Sequence, residues 1–154
     1  MSELEDMLEM DRRRLDAEFS AGAAPDVEDI QGYLRGVHLA GAGVLDGWVW
    51  KRSSNVAPWR GMTVDGDEGV NELGYPPLTF QAVEFDVSTT SLEDGDAVLF
   101  DYGDRNHPPL CGIREHVRRV DDDVYLAAAR YSVRDDLRFM YYFGLEPAES
   151  IEVD

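Results

Sequence analysis

Hydrophobic residues near the N-terminus recur every three or four positions, which is typical of a helix that buries one face. The repeat runs through residues 3–20 and is followed by the breaker segment Ala-Gly-Ala-Ala-Pro. Its apolar members are Leu4, Met7, Leu8, Leu15 and Phe19. The pattern therefore predicts an amphipathic N-terminal helix that packs against the rest of the protein.

A second, shorter helix is predicted after Asp26, whose side chain is suited to capping a helix start. Four apolar residues then share one helical face, namely Val27, Ile30, Leu34 and Val37. Gly32 and Gly36 lower the helical propensity of this stretch. Residues 1–40 are accordingly predicted to form an N-terminal helical segment.

The period of the apolar residues changes to two after residue 44, which is the spacing of half-buried β-strands. Asp46-Gly47 and Asp65-Gly66 are turn signals between apolar stretches. In residues 82–87, Val83, Phe85 and Val87 alternate with Ala82, Glu84 and Asp86, and residues 97–100 are apolar on both faces. Short antiparallel strands joined by tight turns are therefore predicted for this part of the chain.

Residues 112–120 fit two interpretations. A helix would place Ile113, Val117 and Val120 on one face, and a strand would group Ile113, Glu115, Val117 and Arg119. The β-rich neighbours favour the strand. Asp121–Asp123 then form a tight connection to the next strand.

The last two strands are predicted over residues 124–131 and 137–146, with a hairpin turn at residues 134–136 between them. The predicted inner face of the final strand consists of Leu137, Phe139, Tyr141, Phe143 and Leu145. Its outer face then carries Met140 and Tyr142. The N-terminal helix, a second subunit in a homodimer or a ligand would have to cover these two side chains.

Seven or eight short strands thus follow the N-terminal segment. Antiparallel sheets of that size usually curl or close, because closure removes their unpaired edges. We predict a mainly β protein of one domain, with an antiparallel barrel over residues 41–154. An eight-stranded barrel has room for core side chains or for one small ligand.

Three stretches resemble a family of uncharacterised bacterial and archaeal proteins with a lipocalin-like barrel. They are PWRGMTVDGDEGVNEL at 58–73, AVLFDYG at 97–103 and IREHVRRVDDDVYLAAARY at 113–131. The resemblance covers about residues 45–146. It implies a lipocalin-like, calycin-type β-barrel with an interior cavity, and it implies no particular activity.

The charge of the chain indicates an unusual solvent. There are 32 acidic against 14 basic residues, for a formal net charge of −18, and Lys51 is the one lysine. Such a surface repels itself in dilute buffer, and concentrated salt screens the repulsion. The composition therefore indicates adaptation to high salt. It also argues against nucleic acid as a partner, because phosphate contacts need a basic surface.

A cytoplasmic location without a membrane partner is expected. No apolar run approaches the ~20 residues of a spanning helix, and no signal peptide precedes the first acidic residues. The single cysteine, Cys111, cannot form an intramolecular disulfide.

Neither a metal nor another cofactor is expected. His107, Cys111 and His116 could supply two imidazoles and a thiolate, but a tetrahedral zinc site needs a fourth ligand and none is evident. Cys111 follows no predicted helix N-terminus that would activate its thiol, so a small buried residue is the better interpretation.

Two carboxylates lie in strands among apolar residues, Glu84 and Asp101. Because successive strand residues alternate between faces, one of them is predicted to face the barrel interior. A buried carboxylate needs a partner, and Arg114 is the expected partner of Asp101, with Arg118 and Arg130 also available. Such a pair would either close one end of the barrel or anchor a ligand inside it.

Binding pockets are mostly apolar with a few placed polar groups. The candidate ligand-binding residues are accordingly Trp59, Glu84, Asp101, Tyr102, Arg114 and Tyr141. The leading hypothesis is a protein that binds a small apolar or amphipathic ligand in a barrel cavity. The alternatives are an enzyme that uses the same cavity, with a carboxylate–arginine pair or a histidine as acid–base group, and an interaction module without a pocket.

The charge imbalance predicts that salt stabilises the fold. The melting temperature should rise from low salt to molar potassium chloride, because the Debye length shrinks from about 30 Å at 0.01 M to about 3 Å at 1 M. Differential scanning calorimetry at the two concentrations measures the change. A melting temperature that is equal or higher at low salt would contradict salt adaptation.

Overall fold

The computed structural model describes residues 3–41 and 59–149, and within these ranges eight antiparallel strands form a closed barrel. The strands are β1 (Gly32–Gly41), β2 (Trp59–Asp65), β3 (Glu68–Tyr75), β4 (Leu78–Leu92), β5 (Gly95–Asp101), β6 (Ile113–Asp121), β7 (Val124–Val133) and β8 (Asp136–Pro147). Each strand pairs with its neighbours in sequence, and β8 returns to pair with β1. The predicted fold class, a mainly β protein with an antiparallel barrel, is confirmed.

Three of the predicted tight turns connect these strands. Asp65-Gly66 lies between β2 and β3, Asp121–Asp123 between β6 and β7, and Arg134–Asp136 between β7 and β8. Asp123, Arg134 and Asp135 have positive φ angles, which aspartate tolerates better than most residues in turns. Residues 113–121 form a strand, as the β-rich neighbours predicted. The predicted turn at Asp46-Gly47 lies outside the described residues.

Two helices precede the barrel, α1 (Glu3–Asp6) and α2 (Arg12–Ala21), with a 3-10 turn at Met7–Glu9 between them. The single predicted helix is interrupted because Asp11 caps α2, accepting a hydrogen bond from the Arg14 N–H at 2.9 Å. No helix in the described ranges is long and apolar enough to cross a membrane. The buried apolar residues of α1, the 3-10 turn and α2 are Leu4, Met7, Leu15 and Phe19.

The second predicted helix is wrong beyond residue 30. Val27–Ile30 forms one turn of 3-10 helix, and the residues after it form β1. Because β1 hydrogen-bonds to both β2 and β8, pairing outweighs the weak helical preference of a stretch with two glycines. The barrel therefore begins at Gly32, ahead of the predicted boundary at residue 41.

Side chains fill one end of the barrel interior. They come from inward-facing positions on seven strands, and Ile30 packs into the same cluster from the 3-10 turn ahead of β1. The fully or nearly fully buried members at this end include Leu34, Met62, Val64, Phe85, Val87, Val98, Phe100, Val117, Tyr125 and Leu145. The opposite end of the barrel interior is less completely filled by these side chains.

The N-terminal helices cover part of the outer face of the barrel. Leu15 and Phe19 belong to an apolar cluster with outward-facing residues of β1, β7 and β8. The Tyr142 hydroxyl donates a hydrogen bond to Asp16 Oδ1 at 2.6 Å, and the Tyr142 ring lies 6.0 Å from the Phe19 ring. Three groups were considered as the cover of Tyr142: the N-terminal helix, a second subunit and a ligand. In the structure the helix covers it.

A β-bulge in β8 changes which residues face inward. The pairing with β7 shifts between Phe139 and Tyr141, so Met140 is the extra residue. Met140 consequently packs toward the interior cluster, and Phe139 packs toward the outer one. The alternation predicted for residues 137–145 therefore holds only after the bulge, and the predicted outward position of Met140 is wrong.

Arg118 of β6 is fully buried on the outer face, beneath α2. Its guanidinium donates hydrogen bonds to the carbonyl oxygens of Phe19, Gly95 and Asp96. It also donates to the Asp94 carboxylate at 2.7 Å, which lowers the pKa of Asp94 to about 2. One side chain therefore ties the end of α2 to the β4–β5 turn and to β6.

Replacing Arg118 with methionine is expected to lower the free energy of unfolding by about 3 kcal/mol or more, because hydrogen bonds to charged groups contribute about 1.5–3 kcal/mol each. The matched control is Arg119→Met, at the next residue. Arg119 is exposed and lies 3.2 Å from Asp29. Exposed pairs contribute about 0–1 kcal/mol. Urea denaturation of both variants measures the difference, and equal losses would contradict the structural role of Arg118.

Candidate functional site

The end of the barrel that the core does not fill contains a pocket of about 220 Å³. It lies where β1, β3 and β5 end and where β2, β4, β6 and β8 begin. Its lining residues are His38, Trp59, Asn71, Leu73, Val83, Tyr102, Ile113, Glu115, Tyr141 and Phe143. Aromatic and aliphatic side chains therefore form most of the wall, and a small polar set is embedded in it.

A directed chain of hydrogen bonds runs along the wall from β2 to β6. The Trp59 indole N–H donates to Asn71 Oδ1 at 2.9 Å. Asn71 Nδ2 donates to the Tyr102 hydroxyl at 3.1 Å, and that hydroxyl donates to Glu115 Oε1 at 2.7 Å. Every donor in the chain points toward Glu115, so the chain orients this carboxyl group and supports negative charge on it.

A bulge in β4 fixes the middle of this chain. Val70 pairs with Glu84 and Asn71 pairs with Ala82, so Val83 is the extra residue. The Val83 carbonyl accepts a second hydrogen bond from Asn71 Nδ2, at 2.9 Å. The φ angle of Val83 is 67°, which is a strained value for a β-branched residue. Such strain costs about 1–3 kcal/mol and is concentrated at functional sites, where it positions groups.

Stacked rings form the wall on the β1 and β2 side. The imidazole of His38 lies parallel to the Trp59 indole, with ring centroids 5.1 Å apart. Phe143 meets the indole edge-on at 5.4 Å, and Tyr141 meets the imidazole edge-on at 6.0 Å. A Cβ at Gly36 would lie 2.1 Å from the indole, so the bare backbone of this glycine is what leaves space for Trp59.

Glu115 is the acidic residue of the pocket, and only 5% of its surface is exposed. Burial raises the pKa of its carboxyl to about 8, although the Tyr102 hydrogen bond acts in the opposite direction. Within residues 3–41 and 59–149, no cation forms an ion pair with it, and Tyr102 supplies its one hydrogen bond. Near pH 7 the group is therefore mostly protonated, and it has capacity left for a ligand.

The other titratable groups that face the pocket are uncharged near neutral pH. Burial lowers the pKa of His38 to about 4. Burial, with a smaller contribution from Glu115, raises the pKa values of Tyr102 and Tyr141. Ala129 of β7 lies between Glu115 and Tyr141 in the strand register, and its small side chain leaves room between them.

Three of the six predicted ligand-binding residues line the pocket, namely Trp59, Tyr102 and Tyr141. Glu84 does not, because it is exposed on the outer surface with its Oε2 2.9 Å from Arg105 Nη1. Of the two strand carboxylates, one of which was predicted to face the interior, Glu84 therefore faces outward. The neighbouring Phe85 fills the interior instead, and the two residues alternate between faces.

Asp101 and Arg114 form the predicted pair, but on the outer surface. They are opposite each other on β5 and β6, with Arg114 Nε 3.3 Å from Asp101 Oδ1. Their side chains are 38% and 24% exposed. Phe100 and Tyr102 both point inward, so alternation places the residue between them outside. The prediction that Asp101 faces the interior is therefore wrong.

Glu115, His38 and Asn71 line the pocket without having been predicted to bind a ligand. The sequence does carry a signal for Glu115. Ile113, Glu115 and Val117 occupy every second position of one strand and therefore share its apolar face. His38 had no such signal, since its strand was predicted as part of a helical segment.

Four of the six arginines from residue 105 to residue 134 form ion pairs with acids of several elements in the described part of the chain. Arg105 alone contacts Asp86, Glu84 and Glu68 at 2.8–2.9 Å, and these hydrogen bonds raise its pKa. The arginines that form ion pairs are Arg105, Arg114, Arg118 and Arg119.

The residues weighed as metal ligands lie apart from the pocket lining. In the described part of the chain, no group of three or more His, Cys, Asp or Glu side chains is placed to hold a metal ion. His116 is buried on the outer face, with its Nδ1 2.8 Å from Arg130 Nη1. Cys111 is partly buried and donates its backbone N–H to the His107 carbonyl.

Comparison with known proteins provides information about the fold and none about the function. The chain is similar to a solved structure described as a protein from Thermomonospora curvata, with a TM-score of 0.65 and 20% sequence identity. The match covers 92% of this chain and 90% of that one. At this identity the likeness shows the fold alone. No family model matches the chain, and neither does any curated protein.

The buried Glu115 carboxyl predicts a loss of stability on the alkaline side. Its folded pKa of about 8 exceeds the unfolded value of 4.5. The unfolded chain therefore binds fewer protons between these values, and stability falls as pH rises toward 8. Wild type should lose on the order of 2 kcal/mol more than Glu115→Gln between about pH 6.5 and 8. Urea denaturation across this range measures the difference.

The pH range above 6.5 isolates Glu115 from the buried histidines. The pKa values of His38 and His116 are lowered to about 4, so these residues contribute stability that is lost as pH falls from 6.5. Glu93→Gln, in the exposed β4–β5 turn, is the control for a change of the same formal charge. A pH profile of Glu115→Gln that is parallel to wild type would contradict the burial of this group.

Proposed function

We propose that this protein binds a small amphipathic ligand inside its barrel. The observation that carries the proposal is Glu115, a buried carboxyl group in a pocket walled by aromatic and aliphatic side chains. Among residues 3–41 and 59–149 it has one hydrogen bond and no counter-ion. Binding sites combine a mostly apolar lining with a few placed polar groups in this way. A buried polar group is stabilised when all its hydrogen-bonding capacity is used, so a ligand would complete the site.

The volume of the pocket limits the size of the ligand. An apolar cavity of about 150 Å³ accommodates benzene. Pockets for drug-sized ligands measure about 300–1,000 Å³. A pocket of about 220 Å³ therefore suits a single ring with a short substituent, or an aliphatic molecule of similar size.

The cellular setting proposed for this protein rests on its composition. A net charge of −18 with one lysine supports work in concentrated salt, and a single cysteine supports a cytoplasmic location. A homodimer would use a different surface from the one first predicted, because the N-terminal helix covers Tyr142. Tyr75, Leu78 and Phe80, at the β3–β4 hairpin, are exposed apolar side chains that suit such a contact.

An enzyme that uses the same pocket is the second candidate. The pKa of Glu115 is raised to about 8 and that of His38 is lowered to about 4. Opposite shifts of this kind suit a carboxylic acid that donates a proton and a neutral imidazole that accepts one. The Asp101–Arg114 pair is not the acid–base group of such an enzyme, because both residues lie on the outer surface. Chemical conversion of the bound molecule distinguishes an enzyme from a binding protein.

Native mass spectrometry of the protein purified from its own cells tests the proposal. We expect a retained small molecule, or saturable uptake of 2-phenylethanol measured by titration calorimetry, and we expect Ile113→Trp to lose both. The indole would occupy the pocket, because Ile113 lines it. A retained molecule that is released unchanged after prolonged incubation supports binding, and conversion supports the enzyme.

The matched control is Leu137→Trp, which adds the same side chain at an exposed position on β8. It should bind like wild type. Equal binding by Ile113→Trp and wild type would place any ligand outside the pocket and would overturn the proposal. The absence of both a retained molecule and uptake of 2-phenylethanol would do the same.

A further inference from the structure

The described part of the pocket wall carries an acidic side chain and no side chain that is positively charged near neutral pH. Of the residues at 3–41 and 59–149 that line the pocket, Glu115 is the acid, and neither lysine nor arginine is among them. The chain as a whole carries 32 acids against 14 basic residues. A surface of this sign attracts cations and repels anions. An anionic ligand would therefore enter the pocket without a counter-ion, whereas a cationic ligand would meet Glu115.

Aromatic rings share the wall with this carboxyl group. Trp59, Tyr102, Tyr141 and Phe143 all line the pocket. The faces of such rings carry negative potential and attract organic cations, and the attraction is strongest where water is excluded. A neutral ligand of the same shape would gain the apolar contacts but neither of the electrostatic ones.

We propose that the ligand is a small organic cation, a primary or methylated amine that carries a ring or a short chain. Its nitrogen lies at the Glu115 carboxylate, and its apolar part packs against Trp59 and Phe143. This inference rests on the proposed ligand-binding function and adds the chemical class of the ligand.

Binding of such a cation near neutral pH has a defined proton balance. The Glu115 carboxyl, with its pKa of about 8, is mainly protonated in the empty pocket near pH 7. The carboxylate that pairs with an ammonium group forms when the O–H proton leaves for the solvent. His38, Tyr102 and Tyr141, the other titratable groups in the wall, stay uncharged in both states. A neutral ligand leaves Glu115 protonated and releases no proton.

Three probes of nearly equal size and different charge test the inference: 2-phenylethylamine, 2-phenylethanol and phenylacetate. Titration calorimetry near pH 7, in phosphate and in Tris, gives each affinity and the number of protons released. We expect the amine to bind about tenfold or more tightly than the alcohol and phenylacetate to bind weakest. Close to one proton should be released for each amine bound, and none for the alcohol.

Two variants separate the charge of Glu115 from its shape. Glu115→Gln should keep the affinity for 2-phenylethanol and lose both the preference for the amine and the proton release. Asp101→Asn removes an acid of the outer surface and should leave all of these quantities as in wild type. A uniform attraction by the acidic surface would instead be reduced to a similar small extent in both variants.

The outcomes distinguish this inference from the function on which it rests. Binding of 2-phenylethanol at least as tight as that of the amine, or amine binding without proton release, would overturn the inference and leave ligand binding intact. Failure of all three probes at millimolar concentration would also overturn it, while a retained neutral molecule in native mass spectrometry would still support the proposed function.

Discussion

Closure of the sheet between β1 and β8 is the constraint on which the other features of this protein depend. The register runs from Leu34 opposite Pro147 to His38 opposite Phe143, and it removes the last unpaired edge of the sheet. Inward-facing positions are then shielded from water by all eight strands. A carboxyl group placed there has only its neighbours to solvate it, which is why burial dominates the pKa of Glu115.

Strand β6 carries two buried ionisable residues that differ in how many hydrogen bonds the fold provides to them. Arg118 faces outward beneath α2, where three carbonyl oxygens and the Asp94 carboxylate accept its hydrogen bonds. Glu115, three residues earlier, faces inward and receives one hydrogen bond from the described residues, that of the Tyr102 hydroxyl. Four of the five N–H donors of Arg118 have acceptors within the fold, so this group has a structural role. Glu115 is only partly satisfied, which is the condition expected of a group that serves a ligand.

The sequence predicts the fold well because alternation is a local signal. Phe85 and Val87 on β4 and Val98 and Phe100 on β5 are buried where their period of two places them. The strand β1 was missed because Leu34 and Val37 also fit a helical face, and only its pairing with two distant strands decides between the periods. Alternation also determines that Asp101 faces outward, since its neighbours Phe100 and Tyr102 are the larger apolar residues. The same rule predicts that Glu115 faces inward, so the position of this buried carboxyl group could be predicted from the sequence.

The shape of the pocket, in contrast, depends on irregularities that no local pattern reveals. Of the five register shifts in the described strands, four lie at the pocket end of the barrel, within the pairings of β1–β8, β2–β3, β3–β4 and β7–β8. Bulges bend a strand and redirect the residues beside them, and they are frequent at barrel rims and next to active sites. Here they turn the Val83 carbonyl toward Asn71 and move Met140 to the inside. At the opposite end, with its single register shift between β6 and β7, side chains fill the interior, whereas the bulged end keeps a space of about 220 Å³ around Glu115. The strained bulge at Val83 therefore positions Asn71, and through Tyr102 the carboxyl group itself.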